Sequence, residues 1–148
     1  LPREGQVYIT VCDSDKEKIA PIARKLAENG LTIIATKGTA RYLQDNNIPV
    51  TTVWRISERQ TPNALSLMRE GKVKLIINTP TEGSGPKRDG YRMRRLAVEI
   101  GIPFITTITA ARAAANAIEL VRKGKIQVSS LNDYLNPVRK VASVVEKL

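Results

Sequence analysis

Leu31-Thr32-Ile33-Ile34-Ala35-Thr36-Lys37-Gly38-Thr39-Ala40 decides how the rest of the chain is read. Its first six residues are rich in β-branched and apolar side chains facing both ways, the composition of a strand buried on both faces of a parallel sheet. Lys37-Gly38 breaks that run, and Thr39 to Asn47 reads as a short helix carrying Tyr42 and Leu43, with Pro49 marking its end. A strand that turns at a glycine straight into a helix is half of a β-α-β unit. The same alternation recurs on both sides of it.

Upstream, Gln6 to Cys12 alternates Val7, Ile9 and Val11 with Tyr8 and Thr10, a first strand. Ser14-Asp15-Lys16-Glu17 has the form of a capping box ahead of a helix with Ile19, Ile22, Ala23 and Leu26 inward, closed at Gly30. Pro21 lies inside it, so either the first turns bend or the helix starts later than the box suggests. Downstream, Val50 to Trp54 is a third strand, and Thr61-Pro62 reads as cap and first residue of a helix carrying Leu65, Leu67 and Met68 up to Gly71. Val73 to Asn78 is a fourth strand. Thr79 to Arg88 is rich in turn residues and irregular. Asp89 is placed to cap a helix with Met93, Leu96, Ala97 and Ile100 inward, Pro103 to Thr107 is a fifth strand, and Thr109 opens an alanine-rich helix to Gly124. The predicted fold is α/β: a three-layer α/β/α sandwich of Rossmann type with a five-stranded parallel sheet over residues 1–123, and a tail over 124–148.

A chain of 148 residues with 42% hydrophobic side chains is long enough for one domain with a real core. No apolar run approaches the roughly 20 residues that span a bilayer. The single cysteine, Cys12, cannot pair within the chain and reads as a small buried hydrophobe; without His, the usual zinc constellations lack ligands. A reducing, cytoplasmic setting without a metal site is expected. The absence of imidazole also removes Ser-His-Asp and Cys-His catalysis, the commonest kinds, while carboxylates and lysines could still act. Leu1-Pro2-Arg3-Glu4-Gly5 reads as the start of a piece cut from a longer polypeptide.

Twenty-four Lys and Arg against 14 Asp and Glu give a net charge of +10. The excess begins after the third strand and is densest at Arg88, Arg92, Arg94 and Arg95, a group suited to contact with a neighbouring acidic domain as much as to a ligand. With one Trp, four Tyr and one Phe, and no stacking or recognition-helix pattern, a nucleic-acid partner would rest on charge alone. None is expected.

In open parallel sheets, ligands bind beyond the carboxyl ends of the strands. There the Ala35 to Ala40 turn has two readings. Thr39 caps a helix and Gly38 supplies a backbone angle, or the glycine, the hydroxyls and the helix dipole cradle a phosphate or carboxylate. Asp13-Ser14-Asp15-Lys16, Trp54-Arg55 and Asn78-Thr79 fall on the same edge. A lysine in the first turn of a helix is electrostatically unfavourable without an anion, which favours the cradle. Trp54 reads as a packing residue.

Asp15-Lys16, Gly30, Ala35-Thr36-x-Gly38-Thr39-Ala40, Ile76-Ile77-Asn78-Thr79, Arg94-Arg95 and Gly101-Ile102-Pro103, in this order and spacing over residues 5–123, resemble the methylglyoxal-synthase-like domain. The likeness is closest to the C-terminal allosteric domain of the carbamoyl-phosphate synthase large chain. That resemblance implies a five-stranded three-layer fold and an allosteric site for a phosphorylated nucleotide, UMP or in some members IMP. It places Lys16, Thr36, Lys37, Gly38, Thr39 and Arg55 at the effector phosphate, and Thr10, Asn78 and Thr79 at the ribose and base. Arg55 stands where many members have Lys, and Lys37 where some have His; Trp54 and Pro80 depart from the family's pattern. It further implies no cofactor and no turnover in this domain, within a parent ligase that uses ATP with Mg or Mn in pyrimidine and arginine biosynthesis. The implied partners are the remaining large-chain domains and a glutaminase small chain, with room for a homo-oligomer and with the tail packing on this domain or on the parent. Two relatives offer other functions. Methylglyoxal synthase, acting on dihydroxyacetone phosphate, needs an aspartate base and histidines where this chain has Glu58 and Arg59. The IMP cyclohydrolase domain carries a Lys-Thr-Leu-His-Pro segment that is absent here.

Overall fold

The computed structural model describes residues 1–80 and 89–124, together with Ser130, Leu131 and Leu135. Five strands, β1 (Gln6–Thr10), β2 (Thr32–Thr36), β3 (Thr51–Val53), β4 (Val73–Asn78) and β5 (Phe104–Ile105), form one sheet in the order β3-β2-β1-β4-β5. Every pairing is parallel. Among the described residues five α-helices of a turn or more connect and cover them: α1 (Lys16–Glu28), α2 (Lys37–Asp45), α3 (Ala64–Arg69), α4 (Asp89–Ile100) and α5 (Ile108–Arg122).

The sheet is buried on both sides because successive strand residues face opposite layers. Val7, Ile9, Ile33, Leu75 and Ile77 pack with Ile19, Ile22 and Leu26 of α1, Leu43 of α2 and Ala111, Ala115 and Ile118 of α5. Tyr8, Ile34, Val53 and Ile76 pack with Leu65 and Met68 of α3 and Met93 and Ala97 of α4. The three-layer α/β/α sandwich read from the sequence is the observed fold.

Several boundaries differ, each for a local reason. The box expected at Ser14 to Glu17 does not form. Asp13–Asp15 is a 3-10 turn, α1 starts at Lys16 with no side-chain cap, and the nearby carboxylates face ammonium groups instead: Asp13 to Lys16 at 2.7 Å, Asp15 to Lys18 at 4.0 Å. The helix runs through Pro21 because Pro21 and Glu17 are both exposed, which leaves the freed Glu17 carbonyl open to water. Helix α2 begins at Lys37, two residues before the expected Thr39, so Thr36 is the N-cap residue and Gly38 lies inside the helix. Helix α3 is capped by Asn63, not Thr61: the Asn63 side chain accepts from the Ser66 N–H at 3.0 Å and the Ser66 hydroxyl accepts from the Asn63 N–H at 3.0 Å. Thr107, not Thr109, caps α5, accepting from the Ala110 N–H at 3.2 Å. In α4, Met93 and Ala97 face inward as expected, whereas Ile100 at the last turn is 45% exposed. Trp54 is 43% exposed and not a core residue; its backbone bridges to Asn63. The irregular segment from Thr81, Arg88 and the tail after Gly124, but for Ser130, Leu131 and Leu135, lie outside the described residues.

At the amino edge of the sheet, α1 ends at Gly30 in the left-handed region (φ +85°). The Arg122 guanidinium lies over it and donates to the Asn29 carbonyl, a cation on the negative pole of a helix. Gly30→Ala should therefore cost about 1–2 kcal/mol for the backbone alone, with Arg122 displaced as well. Urea unfolding checks this, and an unchanged midpoint would mean that the turn relaxes freely.

Candidate functional site

The chain leaves β1 for β2 and β3 on one side, then crosses to β4 and β5 on the other. The crevice where the winding reverses, between the carboxyl ends of β1 and β4, is the place where this class of sheet binds ligands. Here the two ends are tied together. The Thr79 N–H donates to the Thr10 carbonyl at 3.1 Å, and the Cys12 N–H donates to Thr79 Oγ1 at 3.1 Å. Cys12 is half-buried rather than a core hydrophobe: its thiol donates to Asp15 at 3.2 Å and lies 3.2 Å from the Ser14 hydroxyl. Polar neighbours keep it at the rim of the crevice.

One strand over, β2 delivers α2 to the same edge. The first-turn N–H groups of a helix have no partner within it, and no side chain caps those of α2. The Lys16 ammonium comes to this terminus from α1, standing 3.8 Å from the point where a Gly38 Cβ would project. It is held there by Asp13 at 2.7 Å; the Lys16 side chain is 23% exposed and that of Asp13 is 95% exposed. In return, Lys16 holds the Asp13 carboxyl below the usual carboxylate range, by hydrogen bond and by charge. Because Asp13 is almost fully in water, the pair is weak and easily exchanged for another anion.

Thr36, Thr39 and Thr79 are buried, Thr10 and Asn78 half-buried, and Lys37, Gly38 and Arg55 exposed. All nine candidates lie along the carboxyl edge. Lys16, Thr36, Gly38 and Thr39 gather at the start of α2, and Thr10, Asn78 and Thr79 gather at the β1–β4 crevice. Lys37 is the first residue of α2 and faces solvent. Asn78 lies against α4: a Cβ on Gly90 would meet its Nδ2 at 2.7 Å. Gly90→Ala should thus push the Asn78 amide out of place, weakening ligand binding while moving thermal stability little; equal affinity in the variant would remove Asn78 from the site.

Tyr8, Asp89 and Ser57 belong to no ligand motif of the sequence. Tyr8 is 3% exposed; burial first, then the Asp89 charge, hold its phenol well above the usual tyrosine range, with Thr36 and Arg55 pulling partly back. Asp89 at the start of α4 accepts from the Ser57 N–H at 3.4 Å, which links the loop after β3 to α4. The alternation that identified β1 assigned Tyr8 only to the side opposite Val7 and Ile9. In a sheet covered on both faces, that side is also core.

Across β3, β2, β1 and β4 the edge runs through three strand spacings, about 14 Å. It carries cations and helix amides at one end and amide and hydroxyl groups at the other. Such a row suits an elongated ligand with one anionic end. Among the described residues no group of three or more His, Cys, Asp or Glu is placed to hold a metal ion, and no helix is long and apolar enough to cross a membrane.

A family model for the MGS-like domain matches residues 18–106. The chain is 50% identical over 133 residues to a protein of Methanopyrus kandleri named carbamoyl phosphate synthase large chain, C-terminal section, covering 90% of this chain and 24% of that protein. It is 52% identical over 133 residues to the protein of the same name from Methanocaldococcus jannaschii, covering 90% and 21%. With the carbamoyl phosphate synthase large chain of Methanothrix thermoacetophila it shares 46% identity over 139 residues, covering 94% and 13%. The chain thus spans a quarter or less of these relatives. Among solved structures, methylglyoxal synthase from Elizabethkingia anophelis superposes with a TM-score of 0.60 at 17% identity, covering 91% of this chain and 92% of that one. That likeness is one of fold.

Proposed function

The chain belongs to the MGS-like domain family, and from that premise we propose that it is the effector-binding module of a carbamoyl-phosphate synthase large chain, taking a phosphorylated nucleotide such as UMP or IMP. The observation that carries this reading is the Lys16 ammonium poised over the uncapped first turn of α2. A cation beside the first-turn amides of a helix N-terminus is what a terminal phosphate requires. Thr36 and Thr39 add hydroxyls to that end, Arg55 and Lys37 add positive charge beside it, and Thr10, Asn78 and Thr79 offer polar contacts for ribose and base along the edge. The relatives' names support placement in a large chain, where the remaining domains, an ATP-dependent ligase chemistry and a glutaminase subunit would be the partners. Regulation there is a coupling of about 1–3 kcal/mol between sites, reciprocal between effector and substrate.

Titration calorimetry of the chain with UMP, IMP and uridine tests the reading. UMP or IMP should bind, and uridine should bind tenfold or more weakly, since charge-assisted hydrogen bonds to phosphate carry the affinity. Equal affinity for uridine and UMP would sink it.

Turnover of dihydroxyacetone phosphate is the second reading, prompted by the shared fold. It is disfavoured by Glu58, whose carboxylate is occupied in accepting the Arg55 N–H at 2.7 Å. With no histidine in the chain, no imidazole is available to assist it.

A further inference from the structure

Helix α4 carries two opposed stripes. Met93 and Ala97, four residues apart, face the core. Tyr91, Arg95 and Val98 follow one another at i, i+4 and i+7 along the opposite line of the helix. A helix with one buried face ordinarily turns polar side chains to water along that line, yet Tyr91 is 49% and Val98 80% exposed. Arg92 and Arg95 stand exposed beside them. Among the described residues every ion pair is made by a lysine, so neither arginine has a carboxylate partner. Apolar side chains interleaved with unpaired guanidinium groups have the composition of an interface, where Tyr and Arg are enriched, rather than that of a solvated face.

We propose that the outer face of α4 docks on an acidic surface of the remaining large chain, with Tyr91 and Val98 entering an apolar patch and Arg92 and Arg95 meeting its carboxylates. The proposal rests on the placement in a large chain given above. Two observations select this occupant. The chain covers 24% and 13% of relatives to which it is 50% and 46% identical, so most of such a protein lies outside it. Its net charge is +10, which draws a partner of opposite sign and repels a second copy: a two-fold contact through α4 would bring two sets of arginines face to face. The first turn of the same helix belongs to the candidate site, where Asp89 accepts from the Ser57 N–H at 3.4 Å and Gly90 lies against Asn78. Docking face and ligand edge thus share one helix.

Hydroxyl-radical labelling of side chains tests it, comparing the isolated chain with the full polypeptide that carries it. Tyr91 and Val98 should be labelled about fivefold or more slowly in the full polypeptide, as befits the buried part of an interface. Raising salt to about 0.5 M should bring the Tyr91 rate back toward that of the isolated chain, because it screens the arginines. Arg92→Glu with Arg95→Glu should do the same at low salt. In the isolated chain this double variant lies on a solvent-facing line, so its thermal unfolding should match that of the parent. Equal labelling of Tyr91 in the two polypeptides, protection confined to Leu120 of α5 on the other layer, or protection indifferent to both salt and charge reversal overturns the proposal. Protection in the isolated chain that grows with its own concentration would put a second copy on this face, and overturns it as well. Failure of the underlying placement shows differently, as no carbamoyl phosphate formed by the assembled enzyme that contains the full polypeptide. In that outcome there is no large chain to meet, and the proposal falls with it.

Discussion

Lys16→Ala should weaken UMP binding roughly 10- to 100-fold while leaving uridine binding unchanged, because hydrogen bonds to charged groups are each worth about 1.5–3 kcal/mol. Lys16 stands 3.8 Å from the Cβ position above Gly38, so the loss falls on the phosphate end alone. Its present partner, Asp13, is 95% exposed, so breaking that pair should cost the fold little, and thermal unfolding of the variant should match that of the parent. An increase in salt should narrow the gap between parent and variant as the ammonium is screened. If uridine and UMP lose affinity alike in Lys16→Ala, the lysine shapes the whole edge rather than the phosphate end.

Ile9→Ala should give the largest loss of stability, about 2–5 kcal/mol. Ile9 is fully buried at the centre of the sheet, beside Ile77 of β4 and against the layer of α1 and α5. Strands on both sides and helices above limit how far the site can collapse around the lost methylenes. Since a domain of this kind is stable by only about 5–15 kcal/mol, the urea midpoint should fall far with an unchanged slope. Val98→Ala, at a side chain 80% exposed, should stay within about 0.5 kcal/mol. Comparable effects at the two positions would contradict the assignment of the core. Thr10, the next residue, holds Thr79 through its carbonyl, so ligand affinity should fall in Ile9→Ala even under conditions where the variant is folded.

The strands were legible because each is a short apolar or alternating run ended by a glycine, proline or polar residue, and a buried parallel sheet demands just that. β4 agrees residue for residue with the run from Val73 to Asn78. Helix starts were less legible, since Ser, Thr, Asp and Asn compete for the cap and the winner depends on tertiary neighbours. Asn63 won over Thr61 because Ser66 returns its bond. At the site, Lys16, Gly38 and the Asn78-Thr79 pair announce themselves by residue type and by position after a strand. Tyr8 does not, since its burial and its charged surroundings follow from tertiary packing. Arg55 was legible as a charge; its electrostatic link to Tyr8 was not.

The strand order has a consequence for synthesis of the chain. β1 is the middle strand, but one of its two neighbours, β4, is made only after most of the intervening sequence: Tyr8 pairs with Ile76. At about 5–20 residues per second, the ribosome needs roughly 3–14 s to supply that partner. For this interval Val7, Ile9 and Val11 have at best β2, α1 and α2 to shield them. The nascent chain is thus most prone to stray pairing when it is half made, and the polypeptide of residues 1–72 should precipitate where the full chain does not.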